Sequence, residues 1–143
     1  VLWWLEGPAS PRADPRYTLT RGYTPASPLR VGDRVEIRLR LRATAATGPV
    51  VVEDPVPAGI APIVHEGADE PFVAHDERAR RVVRRDRVAF LLPELKEGET
   101  VLTWHGVATV AGDFAAPPPV LRLDQLRSAG SPDRLRIEQG DTR

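Results

Sequence analysis

Three histidines are the first place to look for chemistry: His65, His75 and His105. His65 and His75 share a stretch with Glu66, Asp69, Glu70 and Asp76. Imidazole mixed with carboxylate can hold a transition metal. The spacing matches no ligand signature, however, and a solvated charged loop contains the same residues. The expectation is no metal. His105 lies on the polar side of a strand-like alternation and is expected to be exposed. The sharpest charge feature is Arg78 to Arg87, RARRVVRRDR. Clustered arginines can bind nucleic acid or anionic lipid. Here Asp76, Glu77 and Asp86 offset them, and no aromatic interleaves for base stacking. A solvated loop-to-strand segment is the expected reading.

No G-x-S-x-G, P-loop, G-x-G-x-x-G or H-E-x-x-H occurs. Cysteine is absent, which removes disulfides, thiolate metal sites and a thiol nucleophile. The chain is therefore expected not to be an enzyme, with no catalytic, cofactor-binding or metal-binding residue and no cofactor.

The elements that would position these residues are strands. Val35, Ile37, Leu39, Leu41 and Ala43 alternate with Arg34, Glu36, Arg38, Arg40 and Arg42. Period two over this length predicts a long antiparallel strand with one wet face. The arginine row is its outer side and can pair with acids on a neighbouring strand or domain. Gly32-Asp33 turns into this strand. Val50 to Glu53 follows a turn and is expected to be its hairpin neighbour. Pro55 stops that strand and Pro57-Ala58-Gly59 turns the chain. Arg16 to Thr24 forms a strand with Tyr17, Leu19, Arg21 and Tyr23 on one side. Ile60 to Val64, Val82-Val83 and Arg87 to Leu92 are further short strands, the last two around an Arg85-Asp86 turn.

Thr100 to Ala111 is a second long strand with Leu102, Trp104, Ala108 and Val110 inward. Gly106 on that side leaves room for a large neighbour or marks a bulge. Gly112 to Phe114 is expected to turn. Val120 to Leu126 and Leu135 to Ile137 are closing strands joined through Ser128-Ala129-Gly130. The fold class is thus all-β, an antiparallel β-sandwich of about eight strands. The predicted core is Val35, Ile37, Leu39, Leu41, Val51, Phe90, Leu102 and Trp104. Between them, His65 to Arg81 reads as a long surface loop, with a short strand at Phe72 to Ala74. Tryptic cleavage is expected first between Arg78 and Arg81, where little burial offsets the entropy of ordering.

The chain has 143 residues, with 20 basic and 20 acidic side chains in balance. That size fits one domain with a real core. Zero net charge supplies no global field for nucleic acid. No apolar run reaches the ~20 residues of a membrane span. Residues 1–15 read as a terminal strand and proline-rich linker, and 16–143 as one sandwich domain. Trp3 and Trp4 are adjacent, so a strand would point them to opposite sides. Methionine is absent even at position 1, so the chain is expected to be a piece of a longer one. Lys96 is the only lysine and asparagine is missing, a bias that suits a GC-rich genome.

Several segments together resemble the C-terminal macroglobulin-like (MG10-type) domain of bacterial alpha-2-macroglobulins. They are L-x-V-G-D-R-V at Leu29–Val35, VVVEDPVPAGI at Val50–Ile60 and D-R-V-A-F at Asp86–Phe90. A fourth is W-x-x-x-A-T-V-A-G-D-F-x-x-P-P, running from Trp104 to Pro118. The resemblance implies a macroglobulin/immunoglobulin-like sandwich in an extracytoplasmic protease inhibitor of the periplasm or cell envelope. Its partners would be neighbouring domains of the same parent chain and the proteases that parent traps, with no nucleic acid and no direct membrane insertion. It also implies a thioester-shielding tyrosine after the Pro-Pro step. The stretch Leu121-Arg122-Leu123-Asp124-Gln125-Leu126 has none, which points to a thioester-lacking relative. The alternative is a structural repeat or stalk domain of a bacterial surface adhesin-like protein. A carbohydrate-binding module is a third class, for which three tryptophans are a poor supply.

Overall fold

The computed structural model describes residues 13–64, 79–124 and 126–140. Among them are twelve strands and no helix. β1 (Tyr17–Thr24), β3 (Arg34–Ala43), β8 (Gly98–Ala108) and β5 (Ile60–Pro62) form one sheet in that order. β11 (Leu126–Ala129), β10 (Val120–Leu123), β4 (Val50–Pro55), β7 (Arg87–Leu92) and β6 (Arg80–Val83) form the second. β2 (Leu29–Arg30), β12 (Asp133–Glu138) and β9 (Gly112–Ala116) form a small third sheet. All pairings are antiparallel except β2 with β12. The expected all-β sandwich is what the chain builds, with more and shorter strands than the hydrophobic pattern resolves.

Alternation decides which side of each strand is buried. Val35, Ile37, Leu39 and Leu41 of β3 face Leu102 and Trp104 of β8, and all are at most 1% exposed. Phe90, Leu121, Leu135 and Leu29 close the same core from the other two sheets. Val51 is a correction. Val50 and Val52 are buried and Val51 faces outward, because three valines in a row leave the phase undecided and Asp54 sets it.

Val110 is a second correction, being 55% exposed. β8 ends at Ala108, whose N–H and C=O are taken by Asp33 and Gly32, and the inward alternation ends with it. The expected hairpin of β3 with Val50–Glu53 does not form. β3 already has β1 on one edge and β8 on the other. Residues 44–49 therefore carry the chain to the second sheet, where β4 pairs with β7 and β10.

Gly112 to Phe114 is part of β9 rather than a turn, and Ser128-Ala129 belongs to β11. The chain reverses at Asp124, whose φ of 51° is left-handed. Arg80 and Arg81 lie in β6, so the expected loop stops short of them. The Arg85-Asp86 turn does form, with the Arg84 N–H on the Arg87 carbonyl at 2.8 Å. Residues 1–12 and 65–78 lie outside the described residues, and with them the expectations for Trp3, Trp4, Phe72–Ala74, Arg78 and both loop histidines.

Gly106 sits in unbroken register opposite Val35, so it marks no bulge. A Cβ there would stand 2.6 Å from Ile60 Cγ2 and 3.1 Å from the Ala61 carbonyl oxygen. β5 can lie on β8 because that Cβ is missing. Gly106→Ala is expected to cost about 1–3 kcal/mol by overpacking, measured as a lower denaturant midpoint. An unchanged midpoint would show that β5 is free to move aside.

Candidate functional site

Among the described residues the most connected polar cluster is buried. Arg21 sits on the inward side of β1 beside Leu19, and its side chain is fully buried. It meets Asp54 of β4, also fully buried, through Nε at 3.0 Å and through a close Nη2 contact. Nη1 donates to Asp133 of β12 at 2.8 Å, and Nη2 also donates to the Pro117 carbonyl at 2.6 Å. Trp104 of β8 donates its indole N–H to the other Asp54 oxygen at 2.7 Å. Tyr23 reaches Asp133 at 3.4 Å. One guanidinium thereby ties strands of all three sheets together.

The electrostatics follow from burial. Burial pushes the Asp54 carboxyl up; the Arg21 guanidinium and the Trp104 N–H pull it down without cancelling that. Burial likewise raises the Tyr23 phenol, against the pull of Arg21. Arg21 keeps its proton more firmly than usual, since Asp54 and Asp133 outweigh its own desolvation. The cluster is enclosed, with the Arg21 and Asp54 side chains fully buried. Its chemistry is structural: it satisfies a cation and a carboxylate that would be costly to bury alone.

The outward faces carry the remaining charge. On β3, Arg38 pairs with Glu36 of the same strand at 2.7 Å, and Arg40 with Glu99 of β8 at 3.6 Å. The expected arginine row is on the wet face. On the second sheet Glu53 accepts from Arg122 at 2.5 Å and from Arg87 at 3.2 Å. His105 is half-buried rather than exposed, with Nε2 3.6 Å from Glu36. Glu36 stands directly opposite it across β3 and β8, which is why the side chain lies against the sheet. Among the described residues no three His, Cys, Asp or Glu side chains could hold a metal.

At the described N-terminal end Asp14 accepts the Arg16 N–H at 2.9 Å and its guanidinium at 3.0 and 2.8 Å. Hydrogen bonds from the Arg16 side chain and backbone hold the Asp14 carboxyl down at about 2. A carboxyl depressed in the fold stabilises above its unfolded value and loses that contribution as pH falls toward 2. Carbon-detected NMR titration is expected to place the Asp14 midpoint near there. A midpoint at the ordinary aspartate value would show that the turn is open in solution.

Comparison with known proteins agrees with this fold. A family model described as the bacterial alpha-2-macroglobulin MG10 domain matches residues 12–122. Among solved structures, Salmonella alpha-2-macroglobulin reacted with methylamine aligns with a TM-score of 0.68 at 21% identity, covering 91% of this chain and 10% of that one. Native Escherichia coli alpha-2-macroglobulin, from domain MG7 to the C-terminus, gives 0.71 at 20% identity over 91% and 24%. The Escherichia coli protein activated by porcine elastase gives 0.72 at 20% identity over 92% and 14%. At these identities the structural likeness shows the fold. A cohesin from the archaeon Archaeoglobus fulgidus shares it more distantly, at 0.53 and 10% identity over 86% and 91%. No curated protein matches the chain in sequence. The family match covers most of the chain, in a sandwich of the expected type: the chain belongs to the bacterial alpha-2-macroglobulin MG10 domain family.

Proposed function

We propose that this chain is a non-catalytic structural domain of an extracytoplasmic bacterial protease inhibitor of the macroglobulin type, one that works without a thioester. The family match over residues 12–122 carries the reading. The chain spans only 10% to 24% of the length of the macroglobulin chains named above, so the trapping itself belongs to a larger parent. The buried site is consistent with a passive role, since its ion pairs bind strands to one another.

The thioester-lacking reading rests on the tyrosines. Tyr17 and Tyr23 are the only two, and both lie on the inward side of β1. β10, which follows Pro117–Pro119, carries Val120, Leu121, Arg122 and Leu123. No phenol is available there to cover a reactive bond on another domain.

The test uses the intact parent protein. After methylamine treatment its mass is expected to be unchanged. It is then expected to co-elute with added elastase on size exclusion. A gain of one methylamine overturns the thioester-lacking reading. Failure to retain any protease, in a parent built of tandem copies of this unit, favours the surface-stalk alternative.

A further inference from the structure

The outer face of the second sheet has a composition that a solvated surface does not need. The register puts Arg127 and Ala129 of β11, Val120 and Arg122 of β10, Val51, Glu53 and Pro55 of β4, Arg87, Ala89 and Leu91 of β7, and Arg80 and Val82 of β6 on one side. Arg80, Arg87, Arg122 and Arg127 are exposed. Glu53 is the only carboxylate among these paired positions, and Arg87 and Arg122 both use it. Asp86 and Asp124 lie in the two hairpin turns. Among the described residues of this face, then, arginines outnumber carboxylates.

Two details make the face unfavourable when left bare. Arg122 and Arg127 are direct cross-strand partners, and like charges placed opposite each other destabilise a sheet. Beside them the aliphatic side chains form a strip that ends in a shallow groove lined by Pro49, Val51, Leu91 and Pro93. Leu91 is 40% exposed. Arginine is enriched in protein interfaces, whose buried centre is more apolar than the rest of the surface. No aromatic side chain stands at these positions, which argues against base stacking and against anchoring in a lipid interface. A second copy of the same face would bring arginine against arginine.

We propose that this sheet face is the docking surface for an acidic face of a neighbouring domain in the same parent chain. The occupant supplies further carboxylates opposite Arg122 and Arg127, beyond Glu53, the one carboxylate at the paired positions among the described residues, and an apolar patch for Leu91 and Val51. The identity of the partner as a neighbouring domain rests on the macroglobulin reading above.

Arginine labelling with phenylglyoxal, mapped by peptide mass spectrometry, tests it. In the 143-residue chain, Arg87, Arg122 and Arg127 are expected to label as readily as Arg42 on the opposite face. In the parent they are expected to lose labelling while Arg42 keeps it. The double replacement R122Q/R127Q in the parent is expected to restore labelling of Arg87, as is raised salt on the unmodified parent. Equal labelling of all four arginines in the parent overturns the proposal. Protection in the parent that appears only with anionic vesicles overturns it in favour of a lipid surface. Elastase retention, measured on the same samples, separates the two readings: a parent that traps nothing but still protects these arginines refutes the inhibitor function and leaves the docking surface standing.

Discussion

Replacing Asp54 by alanine is expected to destabilise the domain by about 3–5 kcal/mol, the cost of leaving a buried charge without its partner. Arg21 would keep Asp133 and the Pro117 carbonyl but lose the one carboxylate that is fully buried with it. Trp104 would lose its acceptor as well. The measurement is the denaturant midpoint of the purified chain. The double variant Arg21→Met with Asp54→Leu is expected to lose less than D54A alone, because it removes the cation together with the anion. A double variant that loses the sum of both single losses would show that the two residues do not act as a pair. The pH response carries the opposite sign to that of Asp14. A carboxyl raised by burial makes the folded state take up its proton first, so the Asp54 contribution grows as pH falls from that raised value toward the ordinary one. Subtracting the D54A profile from that of the parent sequence is expected to show that slope.

Trp104→Ala is expected to cost about 3–5 kcal/mol, the range for removing a large aromatic from a core. Trp104 is 1% exposed and heads the fully buried side chains by size. Its ring packs beside Gly106, and its N–H caps Asp54. Trp104→Phe separates the two roles. It keeps most of the volume and leaves one carboxylate oxygen short of a donor, a loss of about 1–3 kcal/mol. If the phenylalanine variant were as unstable as the alanine variant, the hydrogen bond rather than the packing would dominate. A near-zero shift in W104A would contradict the placement of β8 altogether.

The parts of the fold legible in the sequence are those where alternation is long and chemically clean. β3 reads correctly because arginine and aliphatic residues take strict turns from Arg34 to Ala43. β1 places Arg21 on the same side as Tyr17 and Leu19, and the structure keeps it there. What the pattern does not show is the partner. Nothing local to Arg21 indicates that Asp54 and Asp133, far along the chain, converge on it. The available signal was the pairing of an arginine on an apolar strand face with an aspartate in a valine strand. Strand neighbours are equally hidden: a short link after β3 suggests a hairpin, yet both edges of β3 are taken by strands of longer register. The end of β8 fails for a related reason, since hydrogen bonds of Ala108 and Thr109 to Gly32, Asp33 and Gly59, not side-chain type, set it, and β9 is a strand because it pairs with the distant β12. The arginines of the second sheet were visible only as a run from Arg78 to Arg87. Arg122 and Arg127 join that face through pairing that is non-local.

The pairing of β3 with β8 also dictates a timetable. Ala43 lies opposite Gly98, so a nascent chain exposes one whole edge of its longest early strand until the residues between them have been made. An unpaired edge of this length invites pairing with other nascent chains. Arg38, Arg40 and Arg42 repeat along the outward side of that strand. Before β8 arrives they serve as gatekeepers, keeping neighbouring copies apart by repulsion while the hydrophobic side is still bare.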